Sequence, residues 1–357
     1  MKKGKLLFVV TVIMMLTAAF ILAGCMEEAV VEDAVEEAVE EVEEEPFVIG
    51  FTNWTVQDTF CVSMQEGMVE AAEENGAEIL VYDNEGGKEV DNTRTLISKG
   101  VDAAIMCYWD PNLAKTSIDL LTAENIPVIA VDVPMPGIAF TGVNNYDVGY
   151  QGGEYLAQWI IDNWDGELDL LIVLNSPTEG PIVAQRFQGQ EDALLEKIDY
   201  PKDEIEYADC GGWAEGALNA ARPILAKYPD AEKIAFVVEN DPSVLGIITA
   251  LEEAGKIDNA VMVTQGVAFD IVHLVRKGEL PVVGGVAYLP EKYGEQSIPK
   301  LIEVIKLVKS GVSMEEAYKQ VIKDDISNPD TGEVLGQAIY VKTDIVTSDN
   351  IDEYYPE

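Results

Sequence analysis

From Pro46 onward, short apolar runs alternate with longer stretches in which apolar positions recur every three to four residues. The short runs are bounded by Gly, Asp, Asn or Pro and predict strands over 47–52, 77–82, 103–107, 127–131 and 139–142. The longer stretches predict helices over 59–75, 89–99 and 111–124. In the first of these, Met64, Met68, Ala71 and Ala72 form an apolar stripe, and Asn75-Gly76 stops it. The alternation resumes after Tyr146, with strands over 168–174, 204–208, 233–238, 260–264 and 282–287. Its helices fall at 146–163, 181–197, 213–227, 241–254 and 268–277. Buried strands followed by crossover helices imply parallel sheets covered on both faces. The fold class is therefore α/β, with two doubly wound parallel-sheet lobes. A helix over 291–308 and a strand over 338–341 stand outside the alternation.

The first 45 residues follow another pattern. Lys2, Lys3 and Lys5 precede an uncharged apolar run over 6–22, which ends in Leu22-Ala23-Gly24-Cys25. A secretory signal ends on small residues in this way. A Cys directly after Leu-Ala-Gly resembles the bacterial lipobox, whose thiol is diacylated and becomes the first residue of the mature protein. The alternative is a short transmembrane anchor; either one tethers the chain outside the cytoplasm. Residues 27–45 then hold eleven Asp and Glu and no Lys, Arg, Gly or aromatic residue. Like charges repel across helical spacing there, so the segment reads as a solvated tether.

Composition removes several classes of function. Asp and Glu number 65 against 23 Lys and Arg, a formal net charge of -42, which repels phosphate backbones and excludes nucleic acid as a partner. With 48% hydrophobic residues the acidity does not signal disorder. The one histidine, His273, rules out a multi-histidine zinc site, and the four cysteines contain no CxxC pair. No metal and no cofactor is expected. His273 falls inside a predicted helix away from the strand ends, and Ser176 and Ser243 have no histidine partner, so an enzyme is disfavoured. The Gly149, Gly152, Gly153 cluster lacks the strand-to-GxGxxG order of a dinucleotide site. Cys61, Cys107 and Cys210 read as free small hydrophobes, with a Cys61–Cys107 bridge as the alternative.

Open parallel sheets bind ligands beyond the carboxyl ends of their strands. Those positions here carry Trp54, Phe60, Tyr108, Trp109, Trp213 and Tyr288, accompanied by Asn53, Gln57, Asp58, Asp110, Asp132, Asn240, Asp241 and Gln265. Aromatic faces with carboxylates and amides suit a ligand with apolar CH faces and many hydroxyls, as a sugar ring presents. The same set could cage an amine or a nucleoside.

The order of several stretches resembles a type I periplasmic binding protein of the ribose-binding kind, the sugar-capturing component of an ABC importer. They are Ile49-Gly50-Phe51-Thr52 with Phe60 and Gly67, then Leu96-Ile97-Ser98-Lys99-Gly100-Val101-Asp102-Ala103, and Asn125-Ile126-Pro127-Val128-Ile129-Ala130-Val131-Asp132. Arg186 with Gly189, Tyr228-Pro229-Asp230, Asn240-Asp241 and Val346-Thr347-Ser348-Asp349-Asn350 follow. The resemblance implies two lobes joined by three hinge crossovers, near 143–145, 287–288 and 328–332, which close on the ligand. It divides the chain into a signal peptide (1–24), an acidic tether (25–46), lobe 1 (47–143) and lobe 2 (144–287). Residues 288–330 would return to lobe 1, and 331–357 would supply lobe 2 with a C-terminal strand and tail.

By the same resemblance Asp58 and Phe60 match the polar and aromatic positions after the first strand. Asp132 matches a carboxylate that grips sugar hydroxyls, Asn240 an amide that does the same, and Trp213 an aromatic that stacks on the ring. Val133 replaces an arginine of the ribose binders, Gln265 stands near an expected aspartate, and Tyr288 replaces a glutamine. Arg186 belongs to an Arg-x-x-Gly pattern of structural character and is retained as a candidate. The expected ligand-binding set is thus Trp54, Asp58, Phe60, Trp109, Asp132, Arg186, Trp213, Asn240, Gln265 and Tyr288, with Cys25 lipidated. The partners implied are a small sugar or polyol, the membrane subunits of an ABC importer and the membrane itself, with the protein acting as a monomer. A regulator sharing this core fold would carry a DNA-binding helical motif where this chain has its lipobox and tether.

Overall fold

The two groups of apolar runs become two sheets in a computed structural model, which describes residues 45–108 and 111–356. The first is built from β1 (Val48–Asn53), β2 (Glu78–Asp83), β3 (Ala103–Cys107), β4 (Val128–Val131) and β5 (Ala139–Gly142). Helices α1 (Thr59–Glu74), α2 (Glu89–Lys99) and α3 (Pro111–Ala123) connect them. Every residue of β3, β4 and β5 is buried, as helices on both faces of a parallel sheet require. The second sheet holds β6 (Leu170–Asn175), β7 (Glu206–Asp209), β8 (Ile234–Val237), β9 (Ala260–Gly266) and β10 (Val282–Ala287). Its helices are α4 (Asn145–Trp164), α5 (Pro181–Lys197), α6 (Ala214–Lys227), α7 (Asp241–Ala254) and α8 (Phe269–Lys277).

The chain then returns to the first lobe. Helix α9 (Tyr293–Lys309) packs on α1, followed by α10 (Met314–Val321), β11 (Asp324–Ser327) and β12 (Val334–Tyr340). Last come β13 (Asp344–Val346) and the short α11 (Ile351–Tyr354). Sheet order is β11-β12-β5-β4-β3-β1-β2 in the first lobe and β13-β10-β9-β8-β6-β7 in the second. The chain therefore crosses between lobes three times, at 143–144, 288–292 and 341–343.

The last crossing corrects an expectation. The resemblance places the strand over 338–341 in the second lobe, with the joint near 328–332 and residues 331–357 beyond it. Instead β12 lies in the first sheet, parallel to β5, with Ala338 opposite Phe140 and Tyr340 opposite Gly142. Residues 328–333 form the turn of the antiparallel β11–β12 hairpin, and the strand that rejoins the second lobe is β13, paired with β10. The close approach of β12 depends on Gly336, where a Cβ would sit 2.0 Å from the Ile138 carbonyl oxygen.

Two contacts outside the sheets fix the frame of the cleft. The glycine cluster of α4 is a packing device: a Cβ at Gly149 would fall 2.1 Å from the Arg186 carbonyl oxygen on α5, and one at Gly153 2.3 Å from that of Gln190. Backbone meets backbone there, and Arg186 is held beside the first crossing. On α10, buried Tyr318 accepts from the Val128 N–H at 2.6 Å and donates to the Val128 carbonyl at 2.9 Å, pinning the start of β4.

Candidate ligand-binding cleft

The first lobe contributes Phe60, Tyr293 and Asp132. Asp132 follows β4 directly and takes a left-handed backbone, φ +57°, a conformation uncommon for residues other than glycine and frequent at functional sites. Its Oδ1 accepts from the Tyr293 hydroxyl at 3.1 Å, and Tyr293 meets Phe60 edge-on with ring centroids 5.8 Å apart. Burial pushes the Asp132 carboxyl up to about 6, against the opposing pull of the Tyr293 hydrogen bond and the Arg186 charge.

Arg186 stands on the second lobe, where its guanidinium gathers several elements. Its Nε and Nη2 donate to Asn145 Oδ1 at 3.0 and 2.8 Å, and its Nη1 donates to the Glu239 carbonyl at 2.9 Å. The guanidinium carbon lies 5.4 Å from the centre of the Tyr288 ring. The Tyr288 hydroxyl donates to Gln265 Oε1 at 3.0 Å, and Gln265 Nε2 donates to the Val148 carbonyl at 3.4 Å. Tyr288 and Gln265 are both buried, and Gln265 fixes the Tyr288 ring over which Arg186 stands. One N–H on each terminal nitrogen of Arg186 remains beyond these bonds.

Three candidates are engaged in holding helices. Asp58 caps α1, accepting from the Cys61 N–H at 3.1 Å. Asn240 caps α7: its Oδ1 accepts from Ser243 N and Oγ at 3.0 and 2.8 Å, while its Nδ2 donates to the Gly212 carbonyl at 3.0 Å. Asp241, also buried, braces the loop after β9 through Thr264 Oγ1, Val267 N and Ala268 N. Trp54 and Trp213, one from each lobe, meet with ring centroids 6.4 Å apart and a tilt of 54°; Trp213 is 49% exposed. Cys25, the acidic tether up to residue 44, Trp109 and Asp110 lie outside the described residues.

The sequence reading missed Tyr293, Asn145 and a carboxyl pair. Glu239 ends the run that begins with β8; it is 1% exposed and accepts from Ser176 Oγ and, at 3.5 Å, from Cys210 Sγ. Glu179, on the turn before α5, is pushed up to about 8 by burial and by its hydrogen bond to Glu239. The strand-end rule pointed at this corner but stopped one residue late, at Asn240. His273 is exposed on α8 and lines a cavity of about 510 Å³ beside the second crossing, with Phe60, Arg276 and Tyr355. Asp132 and Arg186 are not part of that cavity's wall.

A family model described as a periplasmic binding protein domain matches residues 49–307. The chain belongs to the periplasmic binding protein family. This periplasmic binding protein is 25% identical over 275 residues to the ribose import binding protein of Escherichia coli K12, covering 75% of this chain and 88% of that one. It is 23% identical to a xylitol-binding protein of Mycolicibacterium smegmatis, covering 65% of each chain. Among solved structures, an arabinose-binding protein from Geobacillus stearothermophilus superposes with a TM-score of 0.67 at 18% identity, over 87% of this chain and 99% of that one. A solute-binding protein from Actinobacillus succinogenes with bound D-allose gives 0.61 at 22% identity, over 86% and 100%. These likenesses establish the fold: two parallel-sheet lobes joined by three crossings. Membership of the family places the protein outside the cytoplasm.

Proposed function

We propose that this periplasmic binding protein captures a small sugar or polyol between its lobes and presents it to the membrane subunits of an ABC importer, releasing it chemically unchanged. The observation that carries the reading is that Asp132 of the first lobe, bonded to Tyr293 beside Phe60, lies within reach of the charge of Arg186 on the second lobe, which stands over Tyr288. A carboxylate accepts from ligand hydroxyls, a guanidinium donates to them, and aromatic rings cover CH faces. The relatives named for ribose and xylitol, the arabinose-binding neighbour and the neighbour with bound D-allose support a polyhydroxylated ligand. The chain acts as a monomer in this reading. A lipoprotein leader ends before Cys25, whose thiol carries the anchor, and residues 25–46 hold the lobes off the membrane. Two acyl chains give stable attachment at about 0.8 kcal/mol per buried methylene.

A second reading rests on one observation. The charges of Asp132, Glu179 and Glu239 all act on the Arg186 guanidinium, a surplus of carboxyls that also suits a hydroxylated amine or a nucleoside. Titration calorimetry with ribose, arabinose, xylitol, allose and inositol, then with amines and nucleosides, decides between them. Saturable one-to-one binding of a neutral polyol, recovered unchanged from the complex, supports the first reading. Binding of amines or nucleosides alone overturns it.

A further inference from the structure

We propose that the cavity beside the second crossing is a second small-molecule site, and that it takes an arylalkylamine, a small aromatic ring carrying a primary ammonium group. The cavity holds about 510 Å³, within the roughly 300–1,000 Å³ usual for small-molecule sites. Both lobes build its wall. The first supplies Phe60, Ser63 and Glu66 from α1, and the second supplies Val267 and Val272 with the C-terminal Tyr354 and Tyr355. Pro290 and Glu291 line it from the crossing itself. Glu291 is seated on α1, where a Cβ at Gly67 would fall 1.9 Å from its carbonyl oxygen. Of the residues placed in the cleft, only Phe60 belongs to this wall.

The chemistry of the wall selects the ligand. Phe60, Tyr354 and Tyr355 offer ring surfaces to an aromatic body, and aromatic faces also attract a cation. Arg276, the one cation of the wall with a permanent charge, is already committed. Its Nε donates to Asp352 Oδ1 at 3.0 Å and its Nη2 to the Tyr355 carbonyl at 2.6 Å. Glu66 and Glu291 have no ion-pair partner among the described residues, and the other titratable side chains of the wall are the exposed His273 and the two tyrosines. The Tyr355 hydroxyl oxygen is buried with no hydrogen-bond partner among the described residues, a state that folded proteins seldom leave uncompleted. An ammonium group carries three N–H donors, which these two carboxylates and this hydroxyl match in number. Val267 adds a mark of its own: it takes φ +56°, a strained conformation for a β-branched side chain, with Asp241 Oδ1 accepting from its N–H at 3.2 Å. Strain of this kind gathers at ligand sites.

The test is titration calorimetry of the protein with phenethylamine, butylamine and 2-phenylethanol. Phenethylamine should bind saturably and about tenfold or more tightly than either analogue, since butylamine lacks the ring and 2-phenylethanol the charge. Glu291→Gln should weaken phenethylamine roughly tenfold, and Ser63→Trp, which fills the cavity from α1, should abolish its binding. Asp132→Asn, in the cleft, should leave its affinity unchanged. Failure of phenethylamine to bind, equal affinity for the three probes, or binding that survives both Glu291→Gln and Ser63→Trp overturns the proposal. So does binding lost in Asp132→Asn, which would put the amine in the cleft instead. The comparison of the three probes needs no variant to fold.

Discussion

Replacing Asp132 by Asn should strengthen the empty protein and weaken the loaded one. Asparagine tolerates the left-handed backbone at this position and its Oδ1 can still accept from Tyr293, so the substitution removes chiefly the charge. Burial raises this carboxyl from an ordinary 3.8 to about 6, so ionising it in the folded protein costs about 3 kcal/mol. The sign is fixed by which state holds the proton. Below about pH 4 both states are protonated and no penalty exists. Between about pH 4 and 6 the folded state keeps a proton that the unfolded chain has released. Stability therefore falls as pH rises, by up to about 1.4 kcal/mol per unit, and the full penalty stands at pH 7. Urea denaturation of the ligand-free protein should show Asp132→Asn matching wild type near pH 4 and exceeding it by about 1–3 kcal/mol at pH 7. Glu179 and Asp241 also titrate anomalously, at about 8 and about 6, so only the difference between the two proteins isolates Asp132. Calorimetry with the ligand identified by the panel should show affinity reduced by about 1–3 kcal/mol, roughly 5- to 150-fold. A stability difference that does not change with pH, or unchanged affinity, would refute the assignment of Asp132 as a buried carboxylate held for the ligand.

Tyr318→Phe should destabilise the first lobe by about 1–3 kcal/mol in the same denaturation assay, because the Val128 N–H and carbonyl both lose their partner; an unaltered midpoint would show that β4 relaxes onto other groups. Ligand should reduce the radius of gyration in small-angle scattering as the lobes rotate about 143–144, 288–292 and 341–343, and an unchanged radius in the presence of calorimetric binding would exclude closure. Cys25→Ser should leave the protein unprocessed or free of the membrane fraction; membrane attachment that survives the change would exclude the lipid anchor.

Most of the ten strands were legible as apolar runs because strands buried on both faces carry apolar residues at nearly every position, as in β3, β4 and β8. The elements that escaped are those without that signature. In β11 the two aspartates are exposed, and β12 begins with exposed Val334, so the hairpin read as a joint between lobes. Within the site the ambiguity was chemical. In a strand–loop–helix unit the strand end and the helix start share a few residues, and the side chains that cap a helix are the types that grip hydroxyls. Asp58 and Asn240 sit at that overlap and both cap. Tyr293 lay hidden at the start of a helix that sequence alone could not place against Asp132.

The bonding of Arg186 bears on any attempt to redesign this protein for a new solute. Its guanidinium holds Asn145, at the end of the first crossing, and covers Tyr288, at the start of the second. In the proposed reading Arg186 serves recognition and articulation together, so it cannot be exchanged for one purpose alone. A library built at this position would select mixtures of altered contacts and altered opening. Specificity engineering is better begun at Trp54 and Trp213, whose rings meet each other across the lobes.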